Sequence, residues 1–371
     1  MTFSNDVLKQ DERAIFGLRS LYRSFGYAQF KMSKFEEYDL YVRNKSFLVS
    51  DHIITFTDTN GKLMALKPDV TLSIVKNSKD MPDQVQKVYY DENVYRVSGG
   101  HSSYREIMQA GLECIGCVDD YYIAEVLTLA VESLSRISPD FVLDISHLGI
   151  LSAVLDAIPV SGSGRSALLH CVGEKNLHGI DEICASEGID VSLADTLKSL
   201  VCGYGPVNTA LEKLSASLTD ESCQAMLQSL KTILSAVPCE KIRIDFSVTG
   251  DLGYYNGIVF KGFVNGIPQS ILSGGQYDNL LKKMGRKSGA IGFALYLDLL
   301  EALSAAPQEY DVDVVLLYDE TVSAKTILDT VKSITDKQKT VSAQRAIPEK
   351  IRCKELLKLT EKGVERLENH A

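Results

Sequence analysis

The chain has 371 residues, 45% of them hydrophobic and 24% charged, which fits a soluble globular protein of two or three ordinary domains. A net charge of −10 argues against broad electrostatic binding to nucleic acid, which needs a basic surface. No apolar run reaches the ~20 residues that span a membrane, and the polar opening MTFSNDVLKQDERA is unlike a secretory leader.

In chain order, DERAIFGLRSLYRSFGY has helical spacing, with Gly26 as a stop. AQFKMSKFEEYDLYV reads as a strand entering a polar turn. IITFTDTNGKLMALK is a hairpin turning at Asn60–Gly61. PDVTLSIVKNSKD opens a helix with Pro68 and Asp69. VQKVYYDENVYRV reads as a strand or a strand pair, YREIMQAGLECIGC as a strand, YYIAEVLTLAVESLSRI as an amphipathic helix and FVLDIS as a strand. Residues 148–238 are almost wholly helical in pattern, an insertion. Strands return at KIRIDFSV, YYNGIVFKGFVNG and PQSILSGG, and GAIGFALYLDLLEAL reads as a helix packed through small residues. The tail offers one strand–helix unit, a second short strand at KTVSAQ, and a remainder without a clear pattern. Hairpin-joined strands with grouped helices predict an α+β fold around an antiparallel sheet. The expected parts are a core from 1–147 and 239–305, the insertion 148–238, and a short α/β segment 308–371.

The eight cysteines are scattered. Cys114 and Cys117 form a CxxC without a second pair, so free thiols, no metal and a reducing, cytoplasmic compartment are expected. No GxxxxGK[ST] occurs, nor a GxGxxG after a strand. On the strand from Arg105 to Cys114, alternation puts Arg105, Ile107, Gln109, Gly111 and Glu113 on one face. That face is either the wet side of a sheet or a pocket floor, with Gly111 leaving room for a ligand. Gln109 and Glu113 then lie ~13 Å apart along the strand, enough to grip two ends of an amino acid. Asp69 and Thr71 suit a helix first turn, or an ammonium group. Tyr254 and Tyr255, on a strand, would face opposite ways, so that one at most lines a given pocket. Gly274–Gly275 marks a close backbone approach or a plain turn. His101 reads as a solvated loop residue, and His147 and His170 as structural.

LKPDVT, VYR…YREIMQAGLECIG, GYYNGIVF, SGGQYD and GAIGFALYLDLL occur in that order, with the helical stretch among them. Together they resemble the histidyl-tRNA synthetase family over about residues 10–303. The resemblance implies a class II synthetase fold, an antiparallel sheet flanked by helices, in a homodimer. It implies that Asp69, Thr71 and Gln109 hold the α-amino group of L-histidine and that Glu113 and Tyr255 read its imidazole, with Tyr254 beside them. It places Arg96 on an arginine that contacts ATP phosphate. The departures bear on chemistry. Where the family has Arg-x-Glu the chain has Arg96-Val97-Ser98, and where it has a later helical arginine the chain has Leu299. Gly250 stands where an arginine precedes the double tyrosine, and Lys67 and Gln276 where arginine is commoner. Each lost preorganised charge costs ~3–4 kcal/mol of barrier, so adenylation is expected to be nearly abolished and Arg96 to be vestigial.

A histidine pocket without adenylation chemistry is similar to the regulatory subunits of short-form ATP phosphoribosyltransferase. That implies no catalytic residues and no cofactor, a hetero-octamer with the catalytic subunit, and feedback by histidine. The alternatives are a divergent histidine–tRNA ligase and a free-standing histidine sensor.

Overall fold

The computed structural model describes residues 10–45, 48, 53–80, 83–97, 104–250, 253–303 and 310–367. The chain forms two compact units, Met1–Leu303 and Ser304–Ala371.

In the first unit, α1 (Gln10–Ser24) buries Leu18, Leu21 and Tyr22. It stops before Gly26, whose φ of +82° suits glycine. The stretch after it is not one strand. It breaks into β1 (Ala28–Gln29), β2 (Phe35–Glu37) and α2 (Tyr38–Arg43). Lys31, Ser33 and Lys34 interrupt the alternation, and Tyr41, fully buried, anchors α2. The predicted hairpin is β3 (Thr55–Thr57) and β4 (Leu63–Leu66), turning through Gly61 at φ +78°. With β2 it makes a three-stranded sheet.

Next come α3 (Thr71–Asn77), β5 (Val85–Val97) and β6 (Tyr104–Gly116). β5 and β6 pair antiparallel from Val85↔Gly116 to Val97↔Tyr104. α4 (Asp120–Ile137) is capped by Asp119, which accepts from the Tyr122 N–H, and leads to β7 (Phe141–His147). Helices then dominate: α5 (Leu148–Asp156), α6 (Gly162–Gly173), α7 (Leu177–Ser186), α8 (Val191–Cys202), the two-residue β8 (Gly205–Pro206), α9 (Val207–Ser217) and α10 (Glu221–Ser235). His147 opens this run as a cap, its Nδ1 accepting from the Ile150 N–H at 3.3 Å. Burial pushes its pKa down to about 4, so it stays neutral.

The sheet resumes with β9 (Ile242–Ile244), β10 (Ile258–Val264) and β11 (Leu272–Gln276), followed by α11 (Asp278–Lys283). GAIGFALY is not a helix but the strand β12 (Gly289–Tyr296), with LDLLEAL a 3-10 helix. β12 lies between β6 and β11 and is covered on both faces, so its side chains form an unbroken apolar run with no period-2 signal. The sheet order is β1-β5-β6-β12-β11-β10-β7-β9-β8. It is antiparallel from β5 to β7, with parallel pairs β1·β5 and β7·β9 towards its edges.

Leu112 and Cys114 of β6, Leu143 and Ile145 of β7 and Phe293 of β12 pack against α1 and α4 on one face. On the other face Val88, Tyr90, Ile115 and Ala290 pack with α3 and α11.

The second unit holds β13 (Val312–Tyr318), α12 (Ala324–Thr335), β14 (Val341–Gln344), β15 (Cys353–Thr360) and β16 (Gly363–Leu367). The four strands form one sheet ordered β14-β13-β15-β16. The remainder of the tail that showed no clear pattern therefore supplies two strands. Among the described residues, no helix is long and apolar enough to cross a membrane.

Candidate functional site

A cavity of about 530 Å³ opens on the α3 side of the large sheet, within the ~300–1,000 Å³ range that takes small ligands. Its floor is β6. Gln109 is 3% and Glu113 2% exposed, so their shared face is not the wet side of a sheet. Both line the cavity, together with Asp69, Thr71, Tyr254 and Tyr255. All six residues expected around an amino acid are thus brought together.

Glu113 is the most constrained of them. The Thr71 hydroxyl donates to its Oε1 at 2.7 Å and the Tyr277 hydroxyl to its Oε2 at 2.5 Å. Its register partner on β12 is Gly292, where a Cβ would overlap Oε2. Burial pushes the Glu113 carboxyl up to about 8, against the pull of the two hydroxyls. With no cation beside it, Glu113 is therefore a largely neutral acid at pH 7. Gly111 has a different use from the one expected. The Tyr90 hydroxyl, its cross-strand neighbour, fills the place a Cβ would take, so the glycine accommodates tyrosine rather than ligand.

Asp69 does both of the jobs open to it. Its Oδ1 accepts from the Leu72 N–H at 2.8 Å, at the start of α3, and it faces the cavity. Burial raises its pKa, opposed by the Leu72 N–H and the Arg96 guanidinium. Two carboxyl groups held above their ordinary range, one buried and one half-buried, make the site receptive to a cation, which restores their ionised forms.

The tyrosine pair corrects the expectation of opposite faces. Tyr254 and Tyr255 lie in a turn before β10 and both line the cavity, rings 4.5 Å apart at 69°. Off a strand, alternation does not apply. Tyr277 stands 5.8 Å from Tyr254, giving an aromatic wall. Gly274 and Gly275 belong to β11, not to a turn. A Cβ on Gly274 would meet Phe293, and one on Gly275 would lie 2.9 Å from the Tyr255 ring. They permit a close approach.

Arg96 lines the cavity, its Nε donating to the Pro68 carbonyl at 3.0 Å. Gly250 lines it too, at φ +53°. Leu299 packs on the apolar core. Lys67 is fully buried and paired with Glu92 at 2.6 Å, and Gln276 accepts from the Ile258 N–H at 2.7 Å. Both act as framework. Ser98 and His101 lie outside the described residues. Sequence reasoning missed Tyr90, Lys261 and Tyr277 as wall residues. Tyr277 was visible in SGGQYD; Tyr90 and Lys261 required the strand register.

A family model described as histidyl-tRNA synthetase matches residues 5–300. The chain belongs to that family. Its class II fold is shared with a solved structure described as an ATP phosphoribosyltransferase regulatory subunit/histidyl-tRNA synthetase from Bacillus halodurans C. The TM-score there is 0.72 at 23% identity, over 93% of this chain and 90% of that one. A chain of the ATP phosphoribosyl transferase complex from Thermotoga maritima matches with TM-score 0.61 at 20% identity, over 80% of this chain and 98% of that one. Relatives within the histidyl-tRNA synthetase family carry two kinds of name. An ATP phosphoribosyltransferase regulatory subunit of Caldanaerobacter subterraneus subsp. tengcongensis is 31% identical over 76% of this chain and 75% of its own length. A histidine–tRNA ligase of Methanococcus maripaludis is 31% identical over 76% of this chain and 69% of its own.

Proposed function

We propose that the protein is the regulatory subunit of a short-form ATP phosphoribosyltransferase, that it binds L-histidine in this cavity, and that it carries no catalysis of its own. The observation that carries the reading is a contrast within one pocket. The acid and aromatic side is complete, with Asp69, Thr71, Gln109, Glu113 and the tyrosines converging. The side where adenylation needs fixed cations has Gly250 in its wall and Leu299 turned to the core. Relatives named as regulatory subunits support it. On this reading the chain forms a homodimer through its class II core and joins the catalytic subunit in a hetero-octamer. Histidine acts by binding two states of that assembly unequally.

The test has two arms. Histidine-dependent ATP–pyrophosphate exchange should stay at background, and turnover above it would favour the histidine–tRNA ligase reading that other relatives raise. Mixing with a short-form catalytic subunit should give one larger species on gel filtration whose activity responds to L-histidine. Separate elution would favour a free-standing sensor.

A further inference from the structure

The charges of the cavity wall are unevenly committed. Asp69 and Glu113 sit at the α3 entry and on β6, while Lys261, on β10, lines the same cavity from across β12 and β11. Lys261 is half-buried, and its side chain has no hydrogen-bond, ion-pair or ring partner among the described residues. Arg96 is tied to the Pro68 carbonyl and acts on Asp69. Asp144 is the register partner of Lys261 on β7, yet its cationic neighbours are Lys175 and Arg243. Ser273 is the register partner on the other side, and its side chain acts on the Tyr255 hydroxyl, opposing the rise that burial gives its pKa. Gly250 closes this corner: a Cβ there would lie 3.2 Å from Tyr255 and 3.7 Å from Val259, two residues before Lys261 on the same strand face. The Lys261 position therefore adjoins Tyr255.

A second observation concerns the ligand. Gln109, 3% exposed, lines the cavity with its Nε2 buried and without an acceptor among the described residues. An ammonium cannot satisfy an amide N–H, because a donor needs a lone pair, and of the lone pairs an amino acid offers, a neutral ring nitrogen's draws no cation as strongly as a carboxylate's. A carboxylate can, and it is also what a free lysine ammonium attracts.

We infer that Lys261 takes the carboxylate of the bound amino acid, so that the cavity selects a zwitterion over the corresponding amine or alcohol. This deepens the functional reading above and rests on it. The acid side of the pocket draws the ligand's cationic group, and Lys261 with Gln109 demands the anionic one.

The test is calorimetry on the full chain with L-histidine, L-histidinol and histamine. Wild type should prefer L-histidine to the other two by about tenfold or more, the scale of one charged hydrogen bond. Lys261→Met should lose about that factor for L-histidine while binding histidinol and histamine as well as before or better, since a positive charge has gone. Lys261→Arg should restore the preference. Glu113→Gln should weaken all three together. Unchanged L-histidine affinity in Lys261→Met, or equal loss of all three ligands, overturns the assignment and leaves the functional reading standing. A folded wild type that binds none of the three overturns both.

Discussion

Glu113 is held by two hydroxyls and faces a glycine, and burial pushes its carboxyl up to about 8. A raised carboxyl pKa means that the folded state binds a proton the unfolded state has already released. Stability from this group is full below the unfolded value near 4.5 and is lost as pH rises towards 8. Glu113→Gln escapes that loss. The variant should be more stable than wild type by on the order of 1–3 kcal/mol at pH 8.5 and equal to it at pH 4.5, as read by urea denaturation. Histidine affinity should fall by about tenfold or more in the same variant. A substitution that stabilises the fold and removes binding marks a residue kept for its ligand. Gly292→Ala should act oppositely on stability, costing ~1–3 kcal/mol, and should likewise weaken binding as its Cβ displaces the carboxylate. Wild-type affinity in that variant would show that Glu113 can move without consequence.

At the scale of elements, the site depends on where α3 begins and on what precedes β10. Asp69 caps α3 and faces the cavity, and the two roles separate by substitution. Asp69→Asn keeps an oxygen for the Leu72 N–H and removes the charge. It should hold the melting temperature within a few degrees while lowering histidine affinity. Asp69→Ala should lose both affinity and ~1 kcal/mol of stability. Wild-type affinity in Asp69→Asn would mean that the charge does nothing, and equal stability of the two variants would mean that the oxygen accepting from the Leu72 N–H does nothing. The strands β5 and β6 were legible because their alternation is local. β12 was not, since a strand buried on both faces has no periodicity to read. The tyrosine pair was misplaced for a related reason. A strand was assumed to start before it, whereas the ladder begins at Ile258.

For the whole molecule, every described residue lining the cavity falls between Leu48 and Tyr296, inside the unit Met1–Leu303. A chain ending at Leu303 should therefore bind L-histidine within about twofold of the full chain, with calorimetry as the check. A large loss would mean that the tail contributes to the site. The second unit has its own apolar core, with Val314, Leu316 and Leu359 on one face of its sheet. That core needs β15 packed beside β13, a pairing invisible in the tail's sequence.

Much was determined by the sequence alone. The order of motifs carried the family and the class II fold, and strand alternation put Gln109 and Glu113 on one face. The replacements at Gly250 and Leu299 could be counted without coordinates. These are local or linear properties, fixed by residue type and spacing. Only the tertiary structure decided the rest. It showed that this face is a buried cavity floor, that Gly111 makes room for Tyr90 and Gly292 for Glu113, that both tyrosines line one wall, and that the Lys261 side chain lines the same cavity with no partner among the described residues. Each of these depends on which strands are neighbours and in what register. That is set by burying both faces of the nine-stranded sheet at once, through pairs such as Glu113 with Gly292 that lie far apart in sequence.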